Sequence, residues 1–439
     1  MPEEYMTSAV HEQSELPSLR QLRIVRSIGC HGSLSGAARE LNRTQSAVSK
    51  ALSDLEAHLG ATLFDRFSHG VLPTAQGGLL IRRIEEAEVQ FNLAARLHRA
   101  ALRHPPRPRH NPVFTMEIGV RRLTAFLAVH ETGDVRLAAA AEGLTTSAIY
   151  DSLRTLQGLL ELTLFEPSAS GLRSTAFGDD LAMHLRLALS LIRLGTDEIR
   201  SLDGTIRGRL VIGTLPYSRT VIVPRAINEV LLQHPGVAIR TREGPYDVLE
   251  RALRSGNLDL IIGATRCLPG DLGLHTENLF EDELAVICSV AHPLAARRRL
   301  SVRDILGYGW ILPPRSTPAR QLFDRFLSRR GASEPAQVIE TSSSSTMRGL
   351  LVESDRLALL SAHQVRPDLS AGLLATLPIK LEETYRPIGI TTRSGTTPSP
   401  AAHAFIESLR RQTGRSKQLR DCQRSIEYRD IAVIGSKPS

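Results

Sequence analysis

Between Arg43 and Lys50 the chain reads RTQSAVSK, a run of side chains suited to hydrogen-bonding flat, polar edges. At helical spacing Gln45, Ser46, Ser49 and Lys50 fall on one side of a helix. Gln and Ser can pair with base edges of a nucleic acid, and Lys can reach a phosphate or a guanine. Arg43 precedes that helix and Thr44 is placed to cap it. Further on, Leu63-Phe64-Asp65-Arg66 leads through Ser68-His69-Gly70 to Val71-Leu72-Pro73-Thr74, which reads as a short β-hairpin. Arg66 and His69 on such a hairpin suit phosphates or a minor groove. On spacing alone, a merely solvated helix face fits these residues equally well.

The elements that must hold them are short helices. Leu22, Val25 and Ile28 recur at helical spacing over Leu19 to Gly29, and Gly32 breaks the pattern. Ser33 is a good cap for a second helix from Leu34 to Leu41, and Asn42-Arg43 makes the turn. The third helix reaches about Leu59, with Ala47, Val48, Leu52, Leu55 and Leu59 facing inward, and Gly60 ends it. Two short helices around a tight turn, the second polar at its start, form a helix-turn-helix. The segment GSLSGAARELNRTQSAVSKALSDLEAHLGATLFDRF, followed by LPTAQG, resembles the DNA-binding domain of LysR-type transcriptional regulators. The resemblance implies major-groove contacts from Gln45, Ser46, Ser49 and Lys50, a wing contact from Arg66, and duplex promoter DNA as partner. Beyond the wing, Leu80, Ile84, Ala87, Phe91 and Ala94 recur in steps of four and three, a coiled-coil seam. In the family this helix dimerises, which implies a homodimer or homotetramer. A helix packed against its own chain satisfies the same seam.

The module occurs twice. Arg20 to Gly77 aligns without a gap on Arg121 to Gly178, at a constant offset of 101. Gly32/Gly133, Ala37-Ala38/Ala138-Ala139, Leu63-Phe64/Leu164-Phe165 and Thr74-Ala75/Thr175-Ala176 keep register. Chance similarity of amphipathic helices gives scattered leucines, but not glycines in register as well. The second copy has changed where chemistry would happen. Gln45 becomes Thr146, Ser49 becomes Tyr150, Lys50 becomes Asp151, Arg39 becomes Ala140 and Arg66 becomes Pro167. The first copy holds seven basic and four acidic residues, net +3; the second holds five and six, net −1. Phosphate neutralisation dominates non-specific affinity, so the acidic copy is expected to serve structure rather than reading.

From Gly208 the texture turns to βα alternation: strands at Leu210–Gly213, Val237–Arg242 and Leu258–Gly263, with helices at Val223–His234 and Tyr246–Ser255 between them. GRLVIGTLPY, SGNLDLIIG and LAVICSVAHPLA resemble the substrate-binding domain of the same family, which implies a two-lobed α/β fold like that of periplasmic binding proteins. LVESDRLALLS stands where many members have a glycine-containing segment, so the backbone there is not carried over. In such folds ligands sit where helix N-termini and strand ends converge. By motif position the candidates are Thr214, Tyr217, Ser218, Tyr246, Arg266, Arg315, Ser316, Thr317 and Ser343. Hydroxyls and arginines suit a small polar or anionic effector, such as a sugar, sugar acid or aromatic acid. Ser and Thr at these places also cap helices with no ligand present.

Bulk properties agree with a multidomain protein. The 439 residues suit two to four domains, and no apolar run reaches the ~20 residues of a membrane span. The acidic, polar start MPEEYMTSAVHEQSELPS is unlike a signal or transit peptide, and four scattered cysteines form no CxxC pair. A cytoplasmic location without membrane contact, and neither metal nor cofactor, is expected. The net charge of +8 permits a polyanionic partner. The expected layout places a winged helix-turn-helix at 17–77 and a linker helix with proline-rich linker at 78–112. A second, degenerate winged helix-turn-helix follows at 113–178, then a second linker helix at 179–207. The effector domain takes 208–412, lobe two about 272–381, and a flexible basic tail 413–439. RNA polymerase is a further expected partner. A nutrient-binding protein would lack the basic head, and no GxSxG, HExxH or P-loop marks an enzyme. A co-regulator acting through protein contacts, with little direct DNA binding, is the competing reading.

Overall fold

The computed structural model describes residues 16–68, 70–102, 111–169, 171–202, 204–266, 273–379, 381 and 384–414. His69, most of the proline-rich linker and the tail from 415 lie outside the described residues. Two compact units divide at Arg207/Gly208.

The first unit opens with α1 (Leu19–His31), α2 (Leu34–Glu40) and α3 (Gln45–Leu59), a hairpin of β1 (Phe64–Phe67) and β2 (Gly70–Pro73), and the long α4 (Ala75–Ala101). The same series follows as α5 (Val120–Thr132), α6 (Val135–Glu142), α7 (Thr146–Leu160), β3 (Phe165–Ser168), β4 (Gly171–Ser174) and α8 (Ala176–Arg200). Local chemistry sets the boundaries. The Ser33 and Thr44 hydroxyls accept from the Gly36 and Ala47 amides, at 3.1 and 3.2 Å. Gly32 and Gly60 close α1 and α3 in the left-handed region, with φ of 60° and 65°. The closing TxxG has a mechanical cause. Thr74 caps α4 through the Gly77 amide, and a Cβ on Gly77 would stand 2.0 Å from the Leu63 carbonyl oxygen. Gly178 stands in the same relation to Leu164.

One inward-facing expectation needs correction. Ala47 is exposed, whereas Val48, Leu52, Leu55 and Leu59 are buried. That stripe steps by four, three and four, and Ala47 lies one residue, about 100°, off it. The seam of α4 is covered by α8 of the same chain. The offset of 101 continues into α8, so that Leu80, Ile84, Ala87 and Phe91 have the equivalents Leu181, Leu185, Ala188 and Ile192, and all eight are buried in one core. Arg83 Nη2 reaches Glu198 Oε1 at 2.5 Å, and His184 Nδ1 lies 2.9 Å from Gln90 Oε1. Low positions on α4 meet high positions on α8, so the helices run antiparallel. The seam is thus buried by a helix of its own chain, the alternative that the spacing left open.

The second unit is a mixed α/β domain. Lobe one begins with β5 (Gly208–Thr214), a 3-10 turn at Pro216–Ser218, α9 (Ile222–Gln233), β6 (Val237–Glu243), α10 (Tyr246–Arg254) and β7 (Leu260–Ala264). The long β8 (Leu274–Ser289) crosses to α11 (Val302–Leu306), β9 (Trp310–Leu312), α12 (Pro318–Arg329), β10 (Val338–Glu340), α13 (Ser344–Val352), β11 (Leu357–Ser361), α14 (Arg366–Ser370) and β12 (Leu374–Thr376). The chain returns along β13 (Tyr385–Arg393) and ends in α15 at 400–414. The strand order is β10-β9-β11-β8-β13-β7-β5-β6, with β12 also on β8. The first part of β8 pairs with β13 down to Glu283, and Leu284 to Ser289 pair with β11 and β12. The lobes thus change inside one uninterrupted strand, near Glu283/Leu284 rather than at about 272. No Gly or Pro between 274 and 289 marks the change. The altered LVESDRLALLS segment still forms a strand, and Leu357 to Ser361 are all buried. Among the described residues no helix is long and apolar enough to cross a membrane.

Candidate nucleic-acid interface and effector cavity

α3 holds its polar face in the open. Arg43, Thr44, Gln45, Ser46 and Lys50 are exposed and Ser49 is half-buried. Local bonds pre-set two of them. Ser35 donates to Gln45 Oε1 at 3.0 Å, and the Thr44 and Ser46 hydroxyls lie 3.1 Å apart. Arg66 is exposed on β1. No carboxylate among the described residues forms an ion pair with Arg43, Lys50 or Arg66, so their charges are open to solvent and to anions. His69 lies outside the described residues.

The second head has the same frame and the opposite electrostatics. Asp151 pairs with Arg154 at 3.4 Å, Glu166 with Arg173 at 3.6 Å, and Asp134 with Arg136 at 3.4 Å. Three of its five cations, Arg136, Arg154 and Arg173, are answered by its own acids, and Tyr150, 54% exposed, stands where the first head has Ser49. The wing residues Phe67 and Leu72, 50% and 57% exposed, escaped the sequence reading. Their equivalents are Ser168 and Arg173, so large apolar residues in a polar hairpin of one copy alone were the available signal.

In the second unit a cavity of about 100 Å³ opens among Arg266, Thr317, Ser344, Gln364 and Arg386. It takes Leu215 and Ala264 from lobe one and Pro318 and Met347 from lobe two. Arg266 stacks on the Tyr246 ring, 4.3 Å from its centroid, and burial raises the Tyr246 phenol above its ordinary value. Arg266 Nε and Ser344 Oγ are buried without a hydrogen-bond partner. Arg386 is committed. Its Nε donates to Asp282 Oδ2 at 3.1 Å, and Asp282, fully buried, also accepts from Ser361 Oγ at 2.5 Å.

Of the nine expected effector residues, Arg266 and Thr317 line this cavity. The others serve elsewhere. Ser218 is buried, and its hydroxyl donates to the Leu215 and Ile262 carbonyls at 2.9 and 3.0 Å. Thr214 is buried and donates to the Arg242 carbonyl. Both hydroxyls are spent on backbone carbonyls, which fixes the turn into Leu215. Tyr246 supports Arg266 from below. Arg315 and Ser316 are exposed, and Arg315 pairs with Glu334 at 2.6 Å. Ser343 caps α13 through the Thr346 amide. The Tyr217 side chain lies outside what is described. Gln364 and Arg386 were missed because they come from distant sequence, after β11 and on β13.

Comparison with known proteins places these features. The family described as "Bacterial regulatory helix-turn-helix protein, lysR family" matches twice, at 19–78 and 120–179, and "LysR substrate binding domain" matches 203–414. The HTH-type transcriptional regulator GalR of Pseudomonas putida is 34% identical over 396 residues, covering 90% of this chain and 97% of its own. The HTH-type transcriptional regulator PcaQ of Agrobacterium fabrum is 27% identical over 298 residues, 68% of this chain and 96% of its own. A full-length OxyR variant from Pseudomonas aeruginosa has the same fold over 67% of this chain and 95% of its own, with a TM-score of 0.51 at 19% identity. With a duplicated reading module and an effector-binding domain, and with a regulator so similar along nearly its whole length, the chain belongs to the LysR family of DNA-binding transcriptional regulators.

Proposed function

We propose that the first head carries the sequence-reading contacts, through Gln45, Ser46 and Ser49 on base edges and Arg43, Thr44, Lys50, Arg66 and His69 on the backbone or groove rim. The supporting observation is that Arg43, Lys50 and Arg66 have no acidic partner among the described residues, while the second head pairs Arg136, Arg154 and Arg173 internally and carries a carboxylate, Asp151, where the first has Lys50. Unpaired cations release phosphate counterions on binding; paired ones must first break an existing contact. Fluorescence anisotropy on a duplex from the protein's own promoter region, titrated with salt, tests this. Lys50→Ala is expected to weaken binding across sequences and lower the salt slope by about 1. Asp151→Lys is expected to leave wild-type affinity little changed. Tyr150→Ala abolishing binding while Lys50→Ala binds normally would reverse the assignment.

The effector we assign to the cavity is a small carboxylate, of the kind found in sugar acids and aromatic acids. Two unpartnered polar atoms, Arg266 Nε and Ser344 Oγ, belong to residues that line one small space, and buried polar atoms ordinarily have partners. The N-terminal turns of α12 and α13 border the same space, and helix N-termini favour anions. A neutral sugar would leave the Arg266 charge unanswered. Thermal-shift screening of small acids against neutral sugars should stabilise the protein with acids alone, and Arg266→Ala should remove the shift. Occupancy is proposed to change affinity for the promoter, which the same anisotropy assay reads with and without ligand.

A further inference from the structure

Two copies of one module, each ending in a long helix, meet through equivalent positions of those helices. Ala87 and its equivalent Ala188 are both fully buried in the shared core. The contacts on either side run in opposite senses, Arg83 to Glu198 and Gln90 to His184. Equivalent surfaces meeting antiparallel are the geometry of a twofold dimer, here built within a single chain.

The polar residues of the seam are not equivalent, and they select this pairing over its alternative. In a pairing of α4 with α4 of a second chain, the place of Glu198 would be taken by Leu97, 101 residues earlier. Arg83, 1% exposed, would keep Glu86 of its own helix on Nη1 at 2.7 Å but lose the carboxylate that it grips through Nε and Nη2. Buried guanidinium N–H groups left without an acceptor are disfavoured. Close fit adds to this. A Cβ on Gly195, the equivalent of Ala94, would stand 3.0 Å from Arg83 Cβ, so the second helix is shaped around the arginine of the first.

We infer that each chain is its own DNA-binding dimer, with one head that reads and one that does not, and that its unit of recognition is a single half-site of duplex without a dyad mate. The last part rests on the first head being the reader; the pairing itself does not.

Disulfide trapping in the full-length protein tests it, with Cys30, Cys267 and Cys422 replaced by Ser. On oxidation, Gln90→Cys with His184→Cys is expected to close a bond within one chain, giving a product of single-chain mass that mass spectrometry assigns to that pair. Ala87→Cys alone, central in the seam, is expected to stay single-chain. Covalent dimers from Ala87→Cys, or interchain bonds from the double variant, would overturn the inference, as would failure of the folded double variant to form the bond. Should the first pair not fold, Ala87→Cys with Ala188→Cys replaces it under the same outcomes. Loss of duplex binding with the intrachain bond intact strikes only the reading role of the first head. Interchain bonds with duplex binding intact strike only the single-chain dimer.

Discussion

Arg83 and Glu198 meet at 2.5 Å in a seam built mainly of leucine, isoleucine, phenylalanine and alanine. The guanidinium is almost wholly buried, and its hydrogen bond to Glu198 holds its pKa above the ordinary value. Such a pair adds little net stability against a well-packed apolar pair, but losing Glu198 leaves the guanidinium with Glu86 alone, on Nη1 at 2.7 Å, and its Nε and Nη2 without a carboxylate. Glu198→Gln is therefore expected to destabilise the first unit by about 1–3 kcal/mol, while Arg83→Met with Glu198→Leu stays near wild type. Urea unfolding followed by helix signal checks both; equal loss in the two variants would show that packing, not charge, holds the seam. His184, across the same seam, is pushed below its ordinary value by burial, and its Nδ1–H donates to Gln90 Oε1. Neither role was legible in the sequence, because it depends on which helix covers which.

Elements were far more legible than partners. The caps Ser33 and Thr44 and the stop at Gly60 carry local chemistry, so the sequence places α2 and α3 to within a residue or so, whereas α4 starts at Ala75, three residues before the expected 78. The 4-3-4-3 stripe of α4 announces a buried face but not its cover, and the structure supplies it from α8. In the effector domain the βα rhythm locates the strands, while the cavity draws on Arg266, Thr317, Gln364 and Arg386, which no local spacing links. The two heads also differ at one element end in a testable way. Where α3 ends on Gly60, α7 ends on Glu161 with φ of 53°, a left-handed residue carrying a Cβ. That conformation costs a non-glycine residue about 1 kcal/mol. Glu161→Gly is expected to stabilise the second head by roughly 0.5–1 kcal/mol, and Gly60→Glu to destabilise the first by a similar amount. A thermal-unfolding comparison in which both substitutions move stability the same way would refute the symmetry of the two ends.

At the scale of the whole molecule, duplication changes what a regulator of this family can read. A twofold pair of equal heads matches two half-sites about one helical turn apart. On the reading inferred above, a chain holding one open basic head and one net-acidic head matches a half-site with no such requirement. Restoring the second head makes the difference measurable. Thr146→Gln, Tyr150→Ser, Asp151→Lys and Pro167→Arg place first-head residues at the equivalent positions, and the net charge of the copy moves from −1 by +2 and +1 to +2. The frame that would carry them is already folded, with the Thr145 cap on the Ala148 amide at 3.2 Å and the β3–β4 hairpin in the same register as β1–β2. Each added phosphate contact steepens the salt dependence by about 0.9, so the converted chain should show a slope steeper by about 2 than wild type. Its hydroxyl-radical footprint should gain a second protected patch beside the first, on duplexes that carry an inverted copy of the half-site. A converted chain whose slope and footprint match wild type would mean that the second head never meets the duplex, and its role would then be confined to covering the seam of α4.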